Sequence, residues 1–235
     1  MSKLHLVVLT GAGISAESGL RTFRDSDGFW EGFSVYEVAS PHGWNDNPQL
    51  VLDFYNARRH DILKAKPNAA HTGLAKLEDD YDVTIITQNI DDLHERAGSK
   101  NVIHLHGQIT NMRSSKSETL IYPYKKDIHV GDKAEDGSQL RPEVVWFGEP
   151  VLKISEAESV VEKADIFVIV GTSLVVYPAA GLISLLPQGT PVYVIDKRIP
   201  DETAGMQFTP IETTATEGVR ELMRILKEKK NHKKK

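Results

Sequence analysis

Residues Gly11 to Trp30 read GAGISAESGLRTFRDSDGFW, and this stretch decides the fold. It follows a short apolar run, Leu4 to Leu9, that reads as a buried strand. Gly11, Gly13 and Ala16 then fit the G-x-G-x-x-G/A turn, in which an unobstructed backbone approaches a pyrophosphate at a helix N-terminus. An ordinary tight turn explains a glycine triplet of this kind equally well. From Arg21 to Gly28 the chain turns polar instead of running on through a long helix. That segment reads as a loop able to fold over a bound ligand, with Phe23 as a flat apolar cover and Arg24 as a phosphate or ribose contact.

Composition narrows the classes. A chain of 235 residues, 40% of them hydrophobic, can bury a sizeable core. A formal net charge of -5 supplies no global basic field for nucleic acid. The absence of cysteine excludes disulfides, a thiolate nucleophile and any Cys-based zinc site. The apolar run before Thr10 is too short for a signal peptide or a transmembrane helix, so a soluble cytoplasmic protein is expected, with no membrane partner. The basic run KEKKNHKKK over 228–235, with its flanking Lys227, reads as a solvated, frayed tail.

Working outward, the apolar positions predict a helix over Leu50–Leu63, and a second one capped by Asn68. The β-branched run Val83–Thr87 predicts a strand, followed by a helix over Leu93–Ala97 that Gly98 stops. Val102–Leu105 is a short strand, Val144–Phe147 has strand character, and Lys153–Ala164 is an amphipathic helix. Asp165–Val170 and Pro191–Ile195 are buried strands separated by a helix that begins at Pro178. Glu217–Lys227 closes the chain as an amphipathic helix. Between about Ile109 and Arg141 the periodicity fades, and a small irregular module is expected, with an extended piece only at TLIYPY. Strands alternating with helices predict an α/β fold: a parallel sheet with helices on both faces, plus a small module formed by insertions at 31–66 and 109–141.

Four predicted strands end in polar or glycine-rich clusters: Gly11-Ala12-Gly13, Gln88-Asn89-Ile90-Asp91, Gly171-Thr172-Ser173 and Asp196. In open α/β sheets ligands bind outside the carboxyl ends of the strands, so four such clusters predict one site; each would otherwise serve to cap the next helix. In HLHG, His104 and His106 are read as facing opposite ways, with His106, at the strand end, facing the ligand cleft. An imidazole titrates near neutral pH and can take a proton from a ribose hydroxyl. Tyr55 and Arg58 lie one turn apart on the Leu50–Leu63 helix, where a phenol and a guanidinium can hold one carboxylate, or can simply pack.

GAGIS, SGL, TFR and GFW in that order, then QNID, the His106-Gly107 pair and VVWFGE, closely resemble the signature of the sirtuins, the NAD-dependent protein deacylases. The resemblance implies a Rossmann-like fold, NAD as cofactor, acyl-lysine proteins or peptides as partners, and a single catalytic domain over 1–235. It implies His106 as general base, with Asn89 and Asp91 at the nicotinamide carboxamide or the nearby ribose. Cofactor contacts are implied for Gly11, Ala12, Gly13, Ala16, Phe23, Arg24, Trp30, Gln88, Asn89, Ile90, Asp91, Gly171, Thr172, Ser173, Asp196, Lys197 and Ala215. The substrate peptide is implied to add as a strand between Val145-Trp146-Phe147-Gly148-Glu149 and the loop Leu174–Tyr177, with contacts from Val145, Phe147, Gly148, Glu149, Val175, Val176 and Tyr177. Tyr-x-x-Arg in FYNARR resembles the class III members, which recognise succinyl, malonyl and glutaryl groups; Ser26 is the small residue that leaves room for a bulkier acyl group. The implied products are nicotinamide, free lysine and O-acyl-ADP-ribose.

Two departures stand out. Most sirtuins carry two cysteine pairs binding zinc between the H-G and WFGE motifs; here Ser114 and Ser115 stand near the first pair, and Asp127, His129 and Asp132 match no zinc spacing, so no metal is expected. Asp196 stands where the family often has Asn; a carboxylate accepts from ribose hydroxyls and opposes a 2′-phosphate. A NAD hydrolase or ADP-ribosyltransferase on the same scaffold, and a non-catalytic NAD or ADP-ribose module, remain as alternatives.

Overall fold

The computed structural model describes residues 3–21, 29–30, 32–203, 205 and 207–232. Chain order runs β1 (His5–Thr10), a 3-10 turn (Ala12–Ser18), and the two-residue ladder of β2 (Phe29–Trp30) with β3 (Phe33–Ser34). It continues through α1 (Val35–Val38), α2 (Pro41–Asp46), α3 (Pro48–Lys64), α4 (Ala69–Leu77), β4 (Asp82–Thr87) and α5 (Leu93–Arg96). Then come β5 (Val102–His104), β6 (Gly107–Ser114), β7 (Ile121–Pro123), β8 (Leu140–Val144), α6 (Ile154–Val161) and β9 (Ile166–Val170). A 3-10 helix (Ala179–Leu185), β10 (Val192–Asp196), β11 (Thr209–Glu212) and α7 (Ala215–His232) complete the chain.

Among the described residues six strands form one parallel sheet in the order β11-β10-β9-β1-β4-β5. Its central strands are apolar on both faces because both are covered. Leu6 and Val8 of β1 pack with α4 and α7, while Val7 and Leu9 pack toward α6 and the Ala179–Leu185 turn. The strand order reverses between β1 and β9, and that switch point is where an open α/β sheet leaves a crevice.

The interval expected to be irregular contains an antiparallel sheet, β7-β6-β8. Helix α3 lies against it, and side-chain hydrogen bonds join the two. Asn56 Nδ2 donates to the Ile128 carbonyl at 2.9 Å, and Ile128 N–H donates back to Asn56 Oδ1 at 3.0 Å. Arg59, fully buried, donates from Nε to the Ile109 carbonyl at 2.9 Å and from Nη1 to Asn56 Oδ1 at 2.8 Å. The far end is tied by Ser114, whose Oγ accepts from Lys116 N–H and Ser117 N–H and donates to Asp136 Oδ2 at 2.6 Å. Ser138 hydrogen-bonds the same carboxylate at 2.7 Å. The serine hydroxyls hold the Asp136 carboxyl down at about 2.

Three expectations are corrected. Val145–Phe147 are not strand: β8 ends at Val144. The helix at Pro178 is a 3-10 helix over Ala179–Leu185. The basic run is not wholly a frayed tail, because α7 continues to His232: Lys229 Nζ donates to the Tyr193 hydroxyl at 2.7 Å and Lys230 pairs with Asp80 at 2.5 Å. Among the described residues no helix is long and apolar enough to cross a membrane.

Candidate active site at the carboxyl edge of the sheet

The loops after β1, β4, β9 and β10 line one cavity of about 700 Å³. Parallel strands put all four carboxyl ends on one edge, so clusters far apart in sequence meet there. The glycines of the first loop are required by packing against the third. A Cβ on Gly13 would lie 2.6 Å from Gly171 Cα, and one on Gly11 would lie 2.7 Å from Thr172 Cβ. Gly171 itself has φ +61 and would clash with the Gly13–Ile14 backbone if it carried a side chain. The two loops are laced by Gly13 N–H to the Gly171 carbonyl at 2.8 Å, and Gln88 Nε2 donates to Thr172 Oγ1 at 2.9 Å.

The Gln88–Asp91 turn is fixed by buried hydrogen bonds. Asn89 Nδ2 donates to the Gly11 carbonyl at 3.1 Å and to Ser15 Oγ at 3.3 Å. Ser15 Oγ donates to Asp91 Oδ2 at 2.9 Å, and Asp91 Oδ1 accepts from the N–H of Leu93, the first residue of α5, at 3.1 Å, while the N-cap position itself is Asp92. Burial raises the Asp91 carboxyl, and these hydrogen bonds oppose the rise. Behind Ser15 lies a pair of fully buried histidines, His71 and His94, with ring centroids 4.9 Å apart. His71 Nδ1 accepts from Asn68 N–H, so its Nε2 carries the proton that faces Ser15 Oγ at 3.4 Å. His94 Nε2 meets Thr10 Oγ1 at 3.1 Å. Burial pushes His71 down to about 4 and His94 well below the usual imidazole range. Motif reading missed Ser15, His71 and His94. Ser15 stands inside GAGIS, and His71 is the third helical residue after the Asn68 cap, where its only sequence signal is a polar residue on an apolar face.

His106 lines the same cavity. Its Nδ1 donates to the Gln88 carbonyl at 2.9 Å, which leaves Nε2 as the proton acceptor of the neutral ring. Burial lowers its proton affinity and the bond to Gln88 partly restores it. Residues two apart on a strand share a face, so alternation does not separate His104 from His106 as the sequence reading supposed. The strand stops at His104, the chain turns through Leu105 and His106, and Gly107 at φ +78 begins β6. His104 turns into the protein and bonds Glu95 at 2.6 Å.

At the other end of the cavity stand Tyr55 and Arg58 of α3, both buried and both in its lining. The Tyr55 hydroxyl accepts from Trp146 Nε1 at 3.1 Å, and burial raises its ionisation well above the usual phenol range. Arg141 lies over the Trp146 ring, 3.2 Å from its centroid, and grips Glu149 through Nη1 at 2.6 Å and Nη2 at 3.1 Å. The Glu149 carboxylate is therefore committed to Arg141 and to Trp146 N–H, although the residue lines the cavity.

Of the expected site residues the cavity also takes in Ala12, Ala16, Ile90, Ser173, Asp196, Lys197 and Ala215, expected at the nucleotide, and Val145, Phe147, Gly148, Val176 and Tyr177, expected at the peptide. Val175 is not in its lining and is exposed. Phe23, Arg24 and Ser26 lie outside the described residues, and Trp30 is described only in its backbone, as part of β2. Leu174 has φ 59, a left-handed conformation that costs a leucine about 1–3 kcal/mol and is held beside the cavity. Among the described residues no group of histidines and carboxylates is placed to hold a metal ion.

Fold and cavity together define an α/β nucleotide-binding protein with its site at the sheet's switch point. Comparison with known proteins makes this specific. The sequence profile described as the Sir2 family matches residues 11–178, and the chain belongs to that family. It is 51% identical over 219 residues to the NAD-dependent protein deacylase of Helicobacter pylori strain 26695, covering 93% of this chain and 96% of the relative. It is 51% identical over 228 residues to that of Bacteroides thetaiotaomicron, covering 94% and 97%. The crystal structure of a Sir2 homolog–NAD complex superposes with a TM-score of 0.86 at 38% identity, covering 96% of this chain and 90% of that one. NAD, the family's cofactor, fits the residues present: the Asp196 carboxylate, the glycine loops, Asn89 and Asp91 line one cavity, which Tyr55 and Arg58 also line.

Proposed function

We propose that this NAD-dependent protein deacylase prefers lysine acyl groups that end in a carboxylate, such as succinyl and malonyl. The observation that carries the reading is the placement of Tyr55 and Arg58, one turn apart on α3, in the lining of the cavity that also holds His106. A guanidinium binds a carboxylate with paired donors, and a phenol adds a directional partner. An acetyl group offers neither residue a charge to meet.

NAD supplies the ribose C1′–nicotinamide bond whose cleavage lets the ribose accept the acyl group. Asn89 and Asp91 present a fixed amide dipole and a carboxylate where positive charge develops on the sugar, and their buried hydrogen bonds mean that little reorganisation is needed. His106, with Nδ1 engaged at Gln88, offers Nε2 to a ribose hydroxyl. Asp196 accepts from the adenosine ribose and disfavours a 2′-phosphate. The acyl-lysine peptide enters between Val145–Gly148 and Leu174–Tyr177, where Phe147, Val175 and Tyr177 are 51%, 54% and 76% exposed. Backbone pairing there gives affinity with little sequence selectivity.

The test is a mass-spectrometric assay with NAD and matched acetyl-, succinyl- and malonyl-lysine peptides. The expected result is a higher kcat/KM for the two acidic acyl groups than for acetyl. Equal rates, or faster deacetylation, would remove the preference while leaving the deacylase. Fast nicotinamide release from NAD with no peptide present would instead favour the hydrolase alternative.

A further inference from the structure

His104 is not part of the machinery derived above, yet it is 4% exposed and sits directly behind the Asn89–Asp91 turn. Its Nε2 is 2.6 Å from Glu95 Oε1 and its Nδ1 is 3.3 Å from the Asn89 carbonyl oxygen. A carbonyl oxygen and an ionised carboxylate only accept, so a ring that satisfies both must donate from both nitrogens. A neutral imidazole has a single N–H and would turn a lone pair toward one of these oxygens.

The surroundings suit a cation. Glu95 of α5 is held ionised: burial raises its carboxyl, and the bond and charge of His104 more than offset this. Gln108 Nε2 donates to the same Glu95 oxygen at 3.2 Å, and Asn111 Nδ2 donates to Gln108 Oε1. Burial raises the carboxyls of Asp91 and, on β8, Glu143, and the charge of His104 partly opposes the rise. Lys153 is the opposing cation, and it acts on Glu95 and Glu143; the neighbouring His94 is held neutral by burial.

We propose that His104 is a buried imidazolium that braces the Asn89 carbonyl, as a positioning residue for the reaction at NAD. It acts through Asn89 and touches neither substrate nor cofactor. The inference rests on the assignment of that turn to the nicotinamide end of the site.

Two measurements test it. In the first, nitrogen NMR of histidine-labelled protein at neutral pH, without NAD, reads the protonation of the ring. The His104 resonances are assigned by their loss in His104→Gln or, should that variant not fold, by their displacement in Glu95→Gln. Both ring nitrogens protonated is the expected result; one protonated nitrogen overturns the proposal. In the second, His104→Gln, which keeps a neutral donor group without the charge, is compared with His104→Leu, which keeps neither. The expectation for His104→Gln is a wild-type melting temperature, a KM for NAD raised about tenfold, and a KM for acyl-peptide within about twofold of wild type. Wild-type kinetics in His104→Gln would show that His104 only packs, and would overturn the positioning role. Because the NMR reading needs no NAD, its failure is distinct from failure of the nicotinamide assignment, which would appear as an unchanged KM for NAD in Asn89→Ala.

Discussion

In the six-stranded sheet, Leu6, Val7, Val8 and Leu9 are all fully buried, and each face of β1 meets its own apolar layer. In the small module Ile109, Val144 and Trp146 pack with Val51, Phe54, Tyr55 and Ile62 of α3, and buried polar bonds add to this: Asn56 with Ile128, Arg59 on the Ile109 carbonyl, Ser114 with Asp136, and Arg141 with Glu149. The apolar group at its far end has only Leu52, Ile128, Ala134 and Leu140 fully in it. Apolar burial is additive and forgiving, whereas a buried polar bond is costly to leave half made. The large sheet should therefore tolerate change in the site it carries, and the module should fail one bond at a time.

His106 lies at the junction, after β5 at one edge of the large sheet and before β6, the first strand of the module, and gives the sharpest break. His106→Ala is expected to lower kcat/KM for deacylation about 1,000-fold with no change in unfolding midpoint, since it removes a base and no core group. Unchanged turnover would remove the base assignment. A fall in melting temperature as large as the fall in rate would instead make His106 a structural residue.

The next effect belongs to the large sheet. His71 has its folded-state affinity for a proton depressed to about 4 by burial, against an unfolded value near 6.5. The unfolded chain binds the extra proton, so stability from this group is present above about pH 6.5 and is lost as pH falls toward 4. The loss is on the order of 3 kcal/mol across that window. Urea unfolding of wild type and His71→Gln at several pH values measures it. Parallel curves for the two proteins would show that His71 does not carry the dependence.

At the boundary between the two regions, Tyr55→Phe combined with Arg58→Met should cost desuccinylation about 10- to 100-fold and deacetylation far less. Equal losses would say that the pair only packs against Trp146. The smallest effect tests the module alone: Ser114→Ala, at a fully buried hydroxyl, should lower stability by about 1–3 kcal/mol. Kinetics with acetyl-peptide should hardly move, and adding a chelator to wild type should leave its melting temperature where it was. A chelator-sensitive midpoint would point to a metal in the module.

Five of the six strands of the large sheet were legible, because they are apolar or β-branched runs and the ligand loops follow them directly; β11 was not. The module was not. Strand β6, GQITNMRS, buries only some of its residues and is bulged between Gln108 and Met112, so no alternation survives in its sequence. Strand β11 is an edge strand with Pro210 in it and buries only Ile211. Val145–Phe147 look like a strand because they are bulky, yet they leave the sheet to line the cavity. The end of α7 looked like a tail because lysines are read as solvated, and Lys229 and Lys230 find Tyr193 and Asp80 only once the helix is docked.

The sequence by itself determined the parallel α/β class and the four strand-end clusters, because periodicity and glycine placement are local properties of the chain; His106 as base was implied only by the family resemblance. Only the tertiary structure decided which polar groups those clusters would meet. Ser15 finds His71 and Asp91, His104 finds Glu95, and Tyr55 finds Trp146 across 91 positions of sequence. Hydrogen bonds in a buried site depend on distances of a few tenths of an ångström, and the packing of the sheet sets those distances.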